Sequence, residues 1–138
     1  MDSPSSEALS IVKGSTEQPV WDITLSQLLK QQAELGPHRQ CVVFLAHKYR
    51  ATYQQLYQTT LTVAKGLISA GVRSGDNIGI LAGNCPQYIE LFFAASHVGA
   101  ALVVLNTMYT PGELKSAAKH SGPLPDKVYS ISTHPLIS

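Results

Sequence analysis

Five histidines, two cysteines, two helix-borne glutamates and a scatter of serines are the side chains in this 138-residue chain that could do chemistry. His38, His47, His97, His120 and His134 form no i, i+4 pair and have no carboxylate at ligand spacing, so no metal site is expected. His97, on an otherwise apolar helix, reads as a core-edge histidine bonded to backbone rather than an acid–base group. Cys41 and Cys85 make neither a disulfide framework nor a zinc site, and Cys85 reads as a small buried hydrophobe. No serine lies in a Gly-x-Ser-x-Gly elbow, and Glu90 and Glu113 are explained as helix faces or caps. The sequence therefore nominates no catalytic, cofactor-binding or metal-ligating residue.

Phosphate chemistry needs a cradle of backbone N–H groups and a cation. Gly75-Asp76-Asn77-Ile78-Gly79 is not one, because its glycines flank the start of a strand, whereas the dinucleotide fingerprint follows a strand. A parallel α/β sheet holds ligands at the carboxyl ends of its strands, which points to Gly83-Asn84-Cys85 and Asn106-Thr107-Met108-Tyr109. Neither stretch is a phosphate loop.

The elements that position those loops follow from periodicity and caps. Residues 1–20 read as a flexible lead-in, with structure beginning near Trp21. Thr24 caps a helix to Leu35, stopped by Gly36-Pro37. Cys41 to Ala46 reads as one strand of a hairpin that turns at His47-Lys48 and returns through Tyr49-Arg50-Ala51. Thr52 and Gln55 form a capping box for a long helix, with apolar positions Tyr53, Leu56, Tyr57, Thr60, Val63, Ala64, Leu67 and Ile68 recurring at helical spacing and Gly71 at the left-handed position past its end.

Asn77 to Ala82 is an apolar run suited to a central parallel strand. Asn84 is read as the cap of the next helix, with Pro86 in its first turn, Gln87 completing a second box, and an end near Val98. Ala101 to Leu105 is a further strand, and Thr110-Pro111-Gly112-Glu113 opens a last helix expected to reach Gly122. Strict alternation of strand and helix predicts an α/β fold, a layered and partly parallel sheet with flanking helices. In the tail, residues 123–138, only Lys127 to Ser132 could be a strand, with no evident partner inside the chain.

Bulk properties narrow the functions. A 44% hydrophobic, 14% charged chain is that of a globular domain. Ten Lys and Arg against nine Asp and Glu give no overall excess to gather nucleic acid or anionic lipid. The uncharged stretch from Leu91 to Gly112 is broken by His97, Gly99, Asn106 and Pro111, so no membrane span is expected. The start lacks a secretory or transit signature, and Leu136-Ile137-Ser138 does not match the Ser-Lys-Leu peroxisomal address, which makes the cytoplasm the expected compartment.

Several blocks taken in order carry a resemblance. Arg50-Ala51-Thr52-Tyr53-Gln54-Gln55-Leu56, Ala64-Lys65-Gly66-Leu67, the segment Gly71 to Ile80, and Asn84 to Glu90 are the first of them. Gly99 to Asn106, Thr110 to Leu114 and His120-Ser121-Gly122 follow. Together they resemble the N-terminal part of acyl-CoA synthetases and other AMP-forming adenylating enzymes, over residues 21–122. The resemblance implies an incomplete N-terminal subdomain of a ligase of fatty acid metabolism. Complete relatives use ATP, Mg and CoA for carboxylate adenylation and then thioester formation.

In that family the phosphate loop, adenine motif, ribose-binding aspartate and C-terminal lysine come later in the chain. No catalytic residue is therefore carried over, and the chain alone is expected to bind no cofactor and to be inactive. Relatives commonly have Asn-Pro where this chain has Asn106-Thr107, and residues 123–138 are divergent. The apolar faces of the helices at 53–70 and 86–98, with an open sheet edge, imply a protein partner or self-association. The alternative is a non-catalytic interaction module that associates with a complete synthetase.

Overall fold

The computed structural model describes residues 14–17, 19–121 and 128–130. Most of the expected lead-in and of the tail lies outside these, as does Gly122. In chain order come α1 (Leu25–Leu35), β1 (Gln40–Phe44), a 3-10 turn (Leu45–His47) and β2 (Tyr49–Thr52). They are followed by α2 (Tyr53–Ser69), β3 (Asn77–Leu81), α3 (Pro86–Val98), β4 (Ala101–Leu105), α4 (Pro111–His120) and β5 (Val128–Ser130).

Three helices begin where a threonine and a residue three positions on satisfy each other. Thr24 with Gln27, Thr52 with Gln55, and Thr110 with Glu113 each form a complete capping box. The fourth start corrects the expectation. Cys85, not Asn84, is the N-cap of α3, it makes no side-chain cap bond, and no box with Gln87 forms. Pro86 dictates this: its ring forces the preceding residue into extended backbone, and Cys85 accordingly sits at φ −142 and ψ 159.

The sheet is parallel in the order β4-β3-β5. Asn77 pairs with Ala101 and Leu81 with Leu105 without a slip. The partner of the tail strand lies inside the chain, contrary to expectation: Val128 to Ser130 pair parallel with Gly79 to Leu81. β3 is thus central, and Ile78 and Ile80 are fully buried. They join Ala64 and Leu67 of α2 and Leu91, Ala94 and Ala95 of α3 in one core. Burial of the leucine and isoleucine side chains among them is worth about 1.5–3 kcal/mol each. Thr60 of α2, also fully buried, donates its hydroxyl to the carbonyl of Tyr57 at 2.8 Å, so it costs little to bury.

β1 and β2 do not extend this sheet. They make a separate antiparallel hairpin, with Val43 opposite Arg50 and Phe44 opposite Tyr49. Leu45 and Ala46, expected in the strand, belong to the 3-10 turn, which closes through Lys48 at φ 50. The inner residues Phe44 and Tyr49 stack edge-on at 6.4 Å, and the Tyr49 hydroxyl donates to Glu90 Oε1 of α3 at 2.8 Å. That bond pins the hairpin to the body. Burial, then the hydrogen bond to Glu90 and its negative charge, push the Tyr49 phenol up to about 12.

A raised phenol favours the neutral form in the fold, so its contribution is fully present below the ordinary tyrosine pKa and lost as pH rises through about 12. A tyrosinate absorbance step near pH 12 is expected, disappearing in Tyr49→Phe, with that variant about 1–2 kcal/mol less stable at neutral pH. Unchanged absorbance in the variant would show that the hairpin is held in another way.

Candidate functional site

The carboxyl ends of β3 and β4 open onto a cleft of about 520 Å³. The two strands lie side by side and both run toward it, so the loops leaving Leu81 and Leu105 become its walls. Asn84 comes from the first loop, and Asn106, Thr107 and Tyr109 come from the second, as the strand-end rule anticipated. Tyr88 was not anticipated. It is the third residue of α3, and the only sequence signal for it is its place in the turn directly after the loop.

The second loop is held by its own backbone. Asn106 Oδ1 accepts from the Met108 N–H at 2.9 Å, and the Tyr109 N–H donates to the Asn106 carbonyl at 3.2 Å. Thr110 then stops the loop by capping α4. Glu113 accepts from the Thr110 N–H and from its hydroxyl, both at 2.8 Å, and these bonds, the backbone one first, hold its carboxyl below the usual carboxylate range. Glu113 is thereby committed to the cap.

The other nominated groups lie apart from the cleft lining. Cys85 is fully buried, consistent with a small hydrophobe. Cys41 donates its S–H to the Ala51 carbonyl at 3.4 Å, and burial pushes its thiol up, away from a nucleophilic thiolate. Glu90 is occupied by Tyr49. His97 lies with its ring 5.8 Å from that of Tyr57, and burial lowers its pKa. Its Nε2 is buried with no hydrogen-bond partner among the described residues, where a backbone bond was expected. Among the described residues no three His, Cys, Asp or Glu side chains gather as metal ligands.

Chemically the cleft offers amides, a hydroxyl and phenols, and none of its lining residues is charged. That donor set can hydrogen-bond an uncharged polar part of a ligand. It does not fit a magnesium triphosphate, which needs cationic donors for its oxygens and carboxylate or hydroxyl ligands for its metal.

Fold and cleft together define an α/β protein with an uncharged cleft at the carboxyl ends of its parallel strands. The family model described as AMP-binding enzyme matches residues 29–124, and the chain belongs to that family. Its relatives include acyl-CoA ligases. The acyl-CoA ligase sidI of Aspergillus fumigatus is 49% identical over 115 residues, covering 83% of this chain and 20% of the relative. The putative acyl-CoA synthetase YngI of Bacillus subtilis is 37% identical over 98 residues, 71% of this chain and 18% of the relative.

Among solved structures, the inhibitor-bound N-terminal domain of FACL13 from Mycobacterium tuberculosis superposes with a TM-score of 0.73 at 27% identity, over 78% of this chain and 26% of that one. The O-succinylbenzoate coenzyme A synthetase MenE of Bacillus subtilis, in complex with ATP and magnesium, gives 0.68 at 25% identity, over 78% and 28%. The chain thus spans 19–27% of the length of the first curated relatives it matches. No helix of the described residues is long and apolar enough to cross a membrane.

Proposed function

We propose that residues 21–122 form the N-terminal subdomain of an acyl-CoA ligase, with 1–20 as a lead-in and 123–138 as a divergent tail. In a complete ligase a carboxylate attacks the α-phosphate of ATP to give an acyl adenylate and pyrophosphate. A thiol such as coenzyme A then takes the acyl group and releases AMP. The observation that carries the reading is the 49% identity over 115 residues to an acyl-CoA ligase. On this reading the chain supplies scaffold and one wall of a substrate cleft in fatty acid metabolism in the cytoplasm. It is inactive alone, since the cleft has no cation to stabilise charge developing on the phosphates.

Two measurements test this. Pyrophosphate exchange into ATP by the isolated chain, with a panel of carboxylates, is expected at background; clear exchange would overturn the claim of inactivity. A chimera carrying residues 29–124 in place of the matching segment of the Aspergillus ligase is expected to keep exchange activity. A folded chimera without it would overturn the scaffold reading.

One observation favours a second reading, a non-catalytic module that docks on a complete synthetase or on itself. Among the described residues β4 has a neighbour on one side only, and it carries Val104, 61% exposed. A stoichiometric partner retained by the full chain in a pull-down would support that reading; a monomer with none would remove it.

A further inference from the structure

The net charge of +1 hides a segregation. No Asp or Glu occurs between Glu34 and Asp76, while Arg39, Lys48, Arg50, Lys65 and Arg73 all do. The β1–β2 hairpin lies inside this acid-free stretch. Strand alternation divides its side chains into two faces. Phe44 and Tyr49 are stacked together on the inner face, with Tyr49 tied to α3. Val43 and its cross-strand neighbour Arg50 share the outer face and are exposed.

At the apex Leu45 is 78% exposed, followed by exposed Ala46, His47 and Lys48. Val43, Leu45, Lys48 and Arg50, with Phe44 and Tyr49, border one groove of about 260 Å³. The Arg50 guanidinium donates to a neutral group, Gln40 Oε1 at 3.2 Å, so its charge is not cancelled there.

We propose that the outer face and apex of this hairpin form an interfacial anchor for a lipid bilayer with anionic headgroups. Exposed aliphatic side chains beside cations match what such an interface presents: hydrocarbon at the headgroup boundary and negative charge above it. The cations complement the surface charge, and Leu45 and Val43 are the groups that gain by leaving water. A single-stranded nucleic acid would call for free ring faces on which bases stack, and the Phe44 and Tyr49 rings here are packed edge-on against each other. The anchor is preformed, because the Tyr49–Glu90 bond and the Tyr53 N–H to Arg39 carbonyl bond at 3.0 Å fix both its strands to the body.

The test uses the full chain with sedimentable vesicles of phosphatidylcholine alone or with roughly 30 mol% phosphatidylserine. Binding is expected to be at least about tenfold stronger on the anionic vesicles and to weaken as salt is raised. Lys48→Glu with Arg50→Glu should abolish it, and Leu45→Ser should weaken it several-fold. In a Trp21→Phe, Leu45→Trp variant, which leaves the charges intact, emission should shift to the blue only on anionic vesicles. Equal affinity for both vesicle types, undiminished binding by the double charge reversal, or no blue shift would overturn the proposal. So would capture of a DNA duplex as tight as that of the anionic vesicles and indifferent to Leu45→Ser, which would assign the cations to a soluble polyanion.

Discussion

Ile80→Ala should remove more of the molecule's stability than any other single truncation proposed for it. Ile80 is fully buried in β3, the sheet's middle strand, and packs in one core with residues of α2 and α3. Truncation removes three carbons there and leaves a cavity the surrounding ladder cannot close, since β3 is paired on both sides. The expected cost is about 4 kcal/mol. A domain of this size has about 5–15 kcal/mol in all, so the variant should stay mostly folded in water but unfold at a much lower urea concentration. Val104→Ala, at an exposed position of the neighbouring strand, should cost well under about 1 kcal/mol. Equal losses at the two sites in urea titrations would show that the core is not where the structure puts it.

Gly99→Ala has the second largest expected effect, through backbone rather than burial. Gly99 ends α3 in the left-handed region at φ 77, and a Cβ built there would stand 2.7 Å from the Ser74 hydroxyl and 3.3 Å from its Cβ. The approach is close because the chain is stitched at this point. The Gly75 N–H donates to the Gly99 carbonyl at 2.9 Å, and the Ala101 N–H donates to that of Asp76 at 2.9 Å. Those bonds deliver β4 alongside β3 in register.

The substitution is expected to cost about 2–3 kcal/mol, combining left-handed backbone strain with the clash. Adding Ser74→Ala removes the nearest atom and should return roughly 1 kcal/mol, the remainder being backbone strain. Strict additivity of the two variants in denaturant titrations would mean that the contact is absent.

Local chemistry made much of the fold legible. Threonine caps at positions 24, 52 and 110 act within three residues, and so were readable without knowing what the helices pack against. Gly71, at φ 85, was placed by the same short-range logic. At Asn84 two local rules competed, and the restriction Pro86 places on its predecessor outweighed the preference for an asparagine cap.

Long-range pairing was not legible. Nothing in Val128 to Ser130 marks β3 as its partner, nor does Tyr49 to Thr52 show that the hairpin stays out of the parallel sheet. The cleft was half readable: its loops follow from strand direction, whereas Tyr88 enters through a helix's orientation. The unpaired His97 Nε2 depends on side-chain packing that periodicity does not report.

The core elements α2, β3, α3 and β4 occupy one unbroken stretch from Tyr53 to Leu105. Nearly all of the interior can therefore assemble from neighbours in the chain, the circumstance in which folding is fast. β5 has a different history. It must close a gap of about fifty residues to reach Gly79, and loop-closure entropy disfavours that step until the platform exists. The order of events is thus written into the topology: a β–α–β nucleus first, with its far flank waiting, template exposed, for whichever strand arrives.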